Sequence, residues 1–470
     1  MEIIGREREQ AVLRACYESG KPEFVAVYGR RRIGKTYLVR QYFKDQFDFY
    51  TTGIYEGTRE EQLTFFCKRL NVHSGGVFPV VNNWFDAFDQ LQTYLSGLRK
   101  RRIVVFIDEL PWLDTPKSRF TKALELFWNS WGCQQERLML VVCGSATTWM
   151  TDKLIGDKGG LHNRLTRSLR LQPFTLRESE LMLRSQNVRL DRYQLLENYM
   201  IMGGTPYYLS LLQPGMSLSQ NIDSLFFSSD APLRKEYDFL LRSLFNDSAL
   251  YRNVIEIIGR KAKGLTLKEI KEALRLPDGG KLTEVLNNLC NCDFLTKYYA
   301  FGKKQRDALF QLTDLYTLFY LRFIKDRNGH DEHEWSNMTD NPHRATWSGY
   351  AFEQVCLHHI PQIKQRLGIS GVLTEVCSWN HAAEGRREQI DLVIDRRDHV
   401  VNLCEMKYSR GRYELTRAYT EHLNDRLESF RLHTGTTKAH HLTMVTTYGL
   451  RPGQYNGLIQ SEVTMDDLFI

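Results

Sequence analysis

The chain has no long apolar run. None of its 470 residues belongs to an uninterrupted apolar stretch of about 18 residues, the length that a membrane-spanning helix needs. The first residues, MEIIGRERE, are charged and lack the apolar segment of a signal peptide. We therefore expect a protein of the cytoplasm with no membrane partner.

Paired cysteines and a strong net charge are also missing. The nine cysteines are scattered, and the closest two, Cys290 and Cys292, do not form a C-x-x-C pair. This distribution indicates neither a disulfide framework nor a zinc site, and it suits a reducing compartment. A net charge of +7 is mild for this length, so it permits nucleic-acid binding without demanding it.

The composition is that of a folded protein with more than one domain. Hydrophobic residues make up 42% of the chain and aromatic residues 12%, as in ordinary globular proteins. A length of 470 residues exceeds what a single hydrophobic core usually supports. From its length we therefore predict two to four domains.

One glycine-rich stretch joins a predicted strand to a predicted helix. Residues 24–39 read FVAVYGRRRIGKTYLV and contain the pattern G-x-x-x-x-G-K-[ST]. In this context the pattern predicts a phosphate-binding loop, in which Gly29 and Gly34 let successive N–H groups surround one anion. Lys35 would reach the β and γ phosphates of ATP, and Thr36 would offer its hydroxyl to Mg²⁺. The alternative is a basic turn without a ligand.

Two carboxylates follow a second apolar strand. Residues 103–107 read IVVFI and are followed by Asp108 and Glu109. Because ligands bind at the carboxyl ends of the strands in open α/β sheets, we expect both side chains to face the phosphate loop. Asp108 would hold Mg²⁺ through its water shell, and Glu109 would polarise the attacking water.

Other residues are candidates for the same site. Ser145 follows a third predicted strand, residues 138–143, where it would sense the γ-phosphate; a helix cap is the equal alternative. Arg164 or Arg167 would act as an arginine finger, in cis or across a subunit boundary. Surface salt bridging is an equal alternative for either arginine.

Residues 248–312 predict three helices followed by a hairpin, the order that is typical of a winged helix-turn-helix. The predicted elements are helices at 250–258, 265–274 and 281–290, and strands at 294–300 and 307–312. Thr266 is the expected cap of the second helix. Such modules often read DNA with the third helix, but this one is only weakly basic, so a packing or linker role is the alternative.

A second group of charged residues lies on a predicted hairpin formed by residues 389–394 and 400–407. Glu405 and Lys407 are two residues apart, so they share a face, and Asp391 lies on the partner strand. Two carboxylates and a lysine on one face suit phosphodiester cleavage. Asp391 and Glu405 would hold Mg²⁺ or Mn²⁺, and Lys407 would position or deprotonate the water. An exposed ion-pair face is the alternative.

A glutamate and several arginines extend this group. Glu353, in a helix predicted at residues 347–360, would complete the metal shell. Four arginines flank the two strands and would grip a phosphate backbone; they are Arg386, Arg387, Arg410 and Arg412. We therefore predict a metal-dependent nuclease site in this part of the chain.

Together these motifs resemble the archaeal-type branch of the STAND-class AAA+ P-loop ATPases. The stretches that carry the resemblance are IGRERE, GRRRIGKT, VVFIDELPWL, VCGSATTWM and GGTPYY, with the winged helix. The later stretches QIDLVID and VNLCEMKYS are similar to the PD-(D/E)XK nuclease-like domain that is commonly fused to that branch. Ile390 stands where the proline of that pattern is expected.

The resemblance implies an α/β fold: a P-loop NTPase parallel sheet with a helical lid, a winged helix, and a C-terminal α/β restriction-endonuclease-like domain. The implied parts are the ATPase core at 1–175, the lid at 176–245, the winged helix at 246–325, a linker at 326–346 and the nuclease-like domain at 347–470. It also implies that Pro206 and residues 4–6 lie near the adenine. Asp391, Glu405 and Lys407 correspond to the nuclease triad.

The expected function is an ATPase whose nucleotide state switches a metal-dependent nuclease acting on DNA, with ATP and Mg²⁺ as cofactors. The main alternative is a DNA-binding regulator whose C-terminal domain only binds nucleic acid or a partner. A third hypothesis is a nuclease-like toxin that nucleotide keeps silent. Besides nucleic acid, the expected partners are a second copy of the chain or a regulatory protein.

Overall fold

The structure is a computed structural model that describes residues 2–145, 147–156, 161, 163–245, 247–276, 279–302, 308–327, 329, 331–383 and 386–470. The first residue of the strand predicted at 307–312 and the side chains of Arg386 and Arg387 lie outside the described part. The chain divides into two units, Met1–Gln172 and Pro173–Ile470. Within the described ranges, no helix is both long and apolar enough to cross a membrane.

The first unit alternates strands and helices. Its strands are β1 (Glu23–Tyr28), β2 (Phe49–Thr52), β3 (Ile103–Asp108), β4 (Leu138–Gly144) and β5 (Arg167–Arg170). Its helices are α1 (Glu7–Glu18), α2 (Lys35–Tyr42), α3 (Arg59–Ser74), α4 (Trp84–Gly97), α5 (Leu110–Leu113), α6 (Phe120–Ser130) and α7 (Thr147–Trp149). The three strands predicted around residues 24–28, 103–107 and 138–143 are confirmed.

These five strands form one parallel sheet in the order β2-β3-β4-β1-β5. Every residue of β1, β3 and β4 is buried, because helices cover both faces of the sheet. Along β1, Phe24 packs into the core on one face and Val25 into the core on the other. The parallel arrangement brings the carboxyl ends of β1, β3 and β4 to the same edge.

The second unit contains helices and two further sheets. Its helices are α8 (Leu176–Ser185), α9 (Arg192–Met202), α10 (Pro206–Leu209), α11 (Leu218–Ile222), α12 (Glu236–Leu244), α13 (Ser248–Gly259), α14 (Leu267–Leu274), α15 (Lys281–Asn291), α16 (Leu315–Phe319), α17 (Glu334–Asn337), α18 (Pro342–His358), α19 (Ile360–Arg366) and α20 (Arg417–Thr434). Its strands are β6 (Leu265–Thr266), β7 (Leu295–Tyr298), β8 (Leu309–Leu312), β9 (Thr374–Ala383), β10 (Arg386–Arg396), β11 (Val400–Lys407), β12 (Ala439–Thr446) and β13 (Ser461–Thr464).

The three helices and the hairpin predicted between residues 248 and 312 are present as α13, α14, α15, β7 and β8; we call residues 248–312 the winged-helix module. A short strand, β6, pairs with β8 to give an antiparallel sheet in the order β6-β8-β7. Thr266 caps α14 as predicted: its hydroxyl accepts the Glu269 N–H, and the Glu269 carboxylate accepts the Thr266 N–H.

The last sheet is mixed and has the order β13-β12-β11-β10-β9. Strands β9, β10 and β11 are antiparallel neighbours, whereas β12 and β13 join in parallel. Leu392 on β10 lies opposite Cys404 on β11, which confirms the predicted hairpin. The pairing of β10 with β9 shifts register between Ile390 and Val393, so Asp391 lies in a β-bulge. Bulges of this kind redirect side chains near sites.

The segment predicted as a linker, residues 326–346, is packed rather than extended. It contains α17 and the start of α18. The side chain of Trp335 is fully buried, and its ring lies 5.2 Å from that of Phe319 and 5.8 Å from that of Trp347. A buried tryptophan removes a large apolar area from water, and this outweighs the polar character of its neighbours.

Candidate functional site

The glycine-rich stretch forms a loop between the end of β1 and the start of α2. Its two glycines have positive φ angles, 142° at Gly29 and 84° at Gly34. A Cβ atom at Gly29 would lie 2.5 Å from the carbonyl oxygen of Leu171, so no larger side chain fits there. The loop geometry therefore requires glycine at both positions of the predicted motif.

Lys35 and Thr36 lie at the first turn of α2 and are fixed by hydrogen bonds. The buried ammonium of Lys35 donates to the carbonyl oxygens of Gly29, at 3.0 Å, and Arg30, at 2.9 Å. The Thr36 hydroxyl donates to Asp108 Oδ2 at 2.8 Å. These bonds hold a positive charge beside the N-terminus of a helix, an arrangement that favours a bound phosphate.

Asp108 ends β3, and Glu109 follows it directly, as predicted. Burial and the charge of Glu109 raise the pKa of Asp108, although the Thr36 hydrogen bond opposes that rise. A cation beside this buried carboxylate would stabilise its charged form, so Thr36 and Asp108 suit Mg²⁺. Glu109 has a φ of 43°, a left-handed conformation that is uncommon for glutamate and is frequent at functional sites.

Ser145 directly follows β4 and contacts Glu109. Its backbone N–H and its hydroxyl donate to the same oxygen, Glu109 Oε2, at 3.2 Å and 2.8 Å. The two hydrogen bonds orient the carboxylate that we expect to polarise water. Sequence reasoning placed Ser145 in this site but missed its partner. A direct contact between Ser145 and the γ-phosphate stays a prediction.

The remaining nucleotide-site candidates are not drawn into this network. Arg164 and Arg167 are exposed, and the Arg167 guanidinium donates to the carbonyl oxygen of Thr166 at 2.7 Å. Pro206 is the first residue of α10 in the second unit. The finger role of either arginine and the adenine contact of Pro206 stay predictions.

In the second unit, Glu405 and Lys407 lie side by side on β11, as predicted. The Lys407 ammonium is 2.9 Å from Glu405 Oε1. Helix α20 adds two partners: Arg426 donates to Glu405 Oε2, and the Tyr419 hydroxyl donates to Oε1. Burial alone would raise the pKa of Glu405, but the charges of Lys407 and Arg426 lower it. Glu405 is therefore a carboxylate with both oxygens bound to protein groups.

Asp391 and Glu353 lie together in a neighbouring cavity of about 290 Å³. Gln389 donates a hydrogen bond to Asp391 Oδ1, while burial raises the pKa of Asp391. Burial and the charge of Asp391 raise the pKa of Glu353 to about 8. Glu353 and Asp391, two of the carboxyl groups that line the cavity, therefore carry negative charge that is unfavourable there.

Gln354 is a polar residue in the wall of this cavity. Its side chain is fully buried, and neither its amide nitrogen nor its oxygen has a hydrogen-bond partner within the described residues. It lines the same cavity as Glu353 and Asp391. Water or a ligand in the cavity would supply partners for this amide.

These residues suit a divalent cation only in part. Glu353 and Asp391 fit Mg²⁺, which binds through one or two carboxylates and keeps several waters. Over the described ranges, no three His, Cys, Asp or Glu side chains are grouped so that they could hold a metal ion. The predicted three-carboxylate shell is thus not formed in this arrangement, because Lys407 and Arg426 bind Glu405.

Three side chains near these carboxylates were not assigned a role from the sequence: Gln389, Lys263 and Arg426. Gln389 lies two residues before Asp391 on β10, and strand periodicity could have identified it. Lys263 and Arg426 come from distant segments, the winged-helix module and α20. No local pattern brings them to the acidic residues, so only the fold reveals them.

Comparison with known proteins agrees with the geometry of the first unit. Residues 3–212 match a family described as an ATPase domain predominantly from Archaea. A protein of Methanocaldococcus jannaschii named uncharacterized protein MJECL04 is 24% identical over 414 residues, which cover 86% of this chain and 87% of that protein.

Two solved structures align with this chain, and the first of them has the same kind of fold over the aligned part. The Walker-type ATPase of Pyrococcus abyssi aligns with a TM-score of 0.50 and 16% identity, over 68% of this chain and 96% of that one. The ORC2 protein of Aeropyrum pernix, in its ADPNP-ADP complexes, aligns with a TM-score of 0.43 and 13% identity, over 72% and 96%. The loop, the parallel sheet and the family match indicate that the N-terminal part of the chain has the fold of a P-loop ATPase domain.

Proposed function

We propose that this protein is a STAND-class switch ATPase in which the nucleotide state controls a metal-dependent nuclease that acts on DNA. The observation that carries the proposal is the acidic hairpin, with Asp391 on β10 and Glu405 and Lys407 on β11, in a chain whose first unit is an ATPase domain. Glu353 on α18 adds a further carboxylate to the same region.

In the ATPase half, each side chain has a distinct task. The loop N–H groups and Lys35 bind the phosphates and stabilise the charge that develops on them. Thr36 and Asp108 hold Mg²⁺, which supplies further charge neutralisation when it is bound. Glu109, oriented by Ser145, accepts the proton of the attacking water.

In the nuclease half, Asp391 and Glu353 are the metal ligands best supported by the geometry, and Glu405 joins them when its own partners release it. A divalent ion bound there would polarise the phosphate and lower the pKa of a bound water. Lys407, whose ammonium pairs with Glu405, orients that water. Arg412 and Arg410 are exposed near the end of β11 and contribute positive charge for a phosphate backbone.

The ion pairs of Glu405 favour a second candidate function. If Arg426 and Lys407 hold Glu405 permanently, the C-terminal sheet binds nucleic acid or a protein without cutting it, and the chain is an ATP-dependent DNA-binding regulator. Arg426→Ala separates the two functions. Cleavage that survives or increases in this variant indicates that the pair is releasable, whereas DNA binding without cleavage in every variant supports the regulator.

The direct experiment is incubation of supercoiled DNA with the full chain and Mg²⁺ or Mn²⁺, with and without ATP. We expect metal-dependent cleavage that changes with nucleotide and is lost in Lys407→Ala. Lys438→Ala is the matched control, because it removes a lysine that pairs with Asp395 in the same sheet but outside the acidic group. Cleavage by Lys407→Ala at the wild-type rate would overturn the nuclease assignment.

A further inference from the structure

The winged-helix module is joined to the mixed sheet by backbone hydrogen bonds. Directly after β7, the Phe301 N–H donates to the Ser378 carbonyl at 2.7 Å, and the Ser378 N–H donates to the Tyr299 carbonyl at 3.3 Å. Ala300 and Ser378 form a parallel bridge. The module therefore extends the sheet at β9, which is otherwise its edge strand.

Side chains reinforce this attachment on both sides. The half-buried ring of Phe301 lies 5.1 Å from the ring of Phe430 on α20. At a second place, the Tyr350 hydroxyl of α18 donates to the Leu312 carbonyl of β8 at 3.3 Å. These contacts hold the module at β9.

The attached module forms one wall of the acidic cavity. Lys263, Glu269 and Gln311 of the module line it together with Glu353 and Asp391. A volume of about 290 Å³ is at the lower end of small-molecule sites, which span roughly 300–1,000 Å³. A DNA duplex, whose major groove alone is about 12 Å wide, cannot enter such a cavity.

Lys263 brings a positive charge to the cavity that Glu353 and Asp391 also line. A lysine and a divalent cation would compete for the same pair of carboxylates, because either one offsets their repulsion.

We propose that the winged-helix module is an autoinhibitory cover of the acidic cavity, with Lys263 as the counter-charge of Glu353 and Asp391. The module has to leave β9 before DNA reaches these carboxylates, and metal binding favours the uncovered state. The consequence for DNA rests on the proposed nuclease function, whereas the competition between the cover and the metal does not.

The first test releases the cover with Phe301→Asp, which places a charge against Phe430. Leu432→Asp is the matched control, because it makes the same change on an exposed position of α20. Amide hydrogen exchange reports attachment at Phe301 and Ser378. Titration with Mn²⁺ alone, followed by the electron spin resonance signal of free Mn²⁺, measures Mn²⁺ binding. The part of this binding that is lost in Asp391→Asn is assigned to the cavity.

We expect Phe301→Asp to lose amide protection and to bind Mn²⁺ at the cavity about tenfold more tightly, because apparent affinity scales with the fraction of open molecules. Leu432→Asp should change neither quantity. If Phe301→Asp does not fold, Phe301→Ala serves with a smaller gain. Loss of protection with unchanged Mn²⁺ affinity would overturn the proposal.

The second test removes the counter-charge without touching the attachment. We expect Lys263→Ala to bind Mn²⁺ several-fold more tightly, whereas Lys261→Ala, an exposed lysine that does not line the cavity, should match the wild type. Equal or weaker Mn²⁺ binding by Lys263→Ala would contradict its assigned role. If both test variants bind Mn²⁺ more tightly and no variant cleaves DNA, the result contradicts the proposed nuclease function. The same result still supports the winged-helix module as a cover of the cavity.

Discussion

The two candidate sites of this chain differ in how their carboxylates are partnered. In the first unit, Asp108 and Glu109 accept hydrogen bonds from Thr36 and Ser145, neutral groups that orient them. In the second unit, Glu405 binds the cations Arg426 and Lys407. The carboxylates of the first site are thus arranged to bind a metal ion, whereas Glu405 of the second site already pairs with protein cations.

Because of this difference, the two sites need different steps before they bind a metal ion. A site whose carboxylates are oriented by neutral groups can bind its metal ion without first giving up an ion pair, and preorganised groups of this kind stabilise a transition state effectively. A site in which protein cations compensate a carboxylate has to exchange partners before it binds a metal.

Glu109→Gln should have the largest effect. The amide keeps the size of the side chain and one oxygen for Ser145, but it cannot accept a proton from water. We expect ATP turnover to fall about 10³-fold, in the range for loss of a general base, with nucleotide affinity nearly unchanged. Steady-state phosphate release and equilibrium ATP binding measure the two quantities. Turnover near the wild-type rate would show that Glu109 is not the general base of ATP hydrolysis.

Lys35→Ala should weaken ATP binding by about 10²-fold, because a buried ammonium beside the phosphates is lost. Arg31→Ala, in the same loop, is the control and should bind ATP within a few-fold of the wild type. Binding of a fluorescent ATP analogue gives both affinities. The same titration with Mn²⁺ at the acidic cavity should show no change, since that site belongs to the other unit; a parallel loss there would indicate general misfolding.

Ser145→Ala should reduce ATP turnover by about tenfold. It removes the hydroxyl bond to Glu109 and keeps the bond from the backbone N–H, so the carboxylate is oriented less well. Ser145→Thr retains a hydroxyl and should recover part of the rate. A loss of ATP affinity in place of turnover would instead support the predicted contact between Ser145 and the γ-phosphate.

Glu353→Gln should change the pH dependence of stability. The pKa of Glu353 is about 8 in the folded protein against an ordinary value of 4.5, so the folded state binds more protons between these pH values. Stability therefore falls as pH rises through this window, by at most about 1.4 kcal/mol per pH unit. The neutral amide should flatten this slope. Urea unfolding at pH 5, 6, 7 and 8 measures it, and equal slopes in both proteins would contradict the assignment.

Local patterns were sufficient to predict the parts of the fold that depend on neighbouring residues. The run from Phe24 to Thr36 predicted β1, its loop and the start of α2, because the glycines and the apolar run act within a few residues. Thr266 predicted the cap of α14 for the same reason. The face shared by Glu405 and Lys407 followed from the period of a strand.

Non-local pairings could not be predicted from these patterns. The bridge between Ala300 and Ser378 joins segments that are far apart in the sequence, and neither segment carries a signal for the other. The same holds for Arg426 at Glu405. The packing of Trp335 against Phe319 and Trp347, in the segment expected to be a linker, is likewise a contact that no local pattern predicts.

The most direct test of the account is DNA cleavage by the full chain as a function of nucleotide and metal. With Mn²⁺ present, we predict that ATP changes the cleavage rate of the wild type, that Lys35→Ala still cleaves but no longer responds to ATP, and that Lys407→Ala does not cleave. Wild-type cleavage in Lys407→Ala, or an undiminished response to ATP in Lys35→Ala, would contradict the claim that the first unit controls a nuclease in the second.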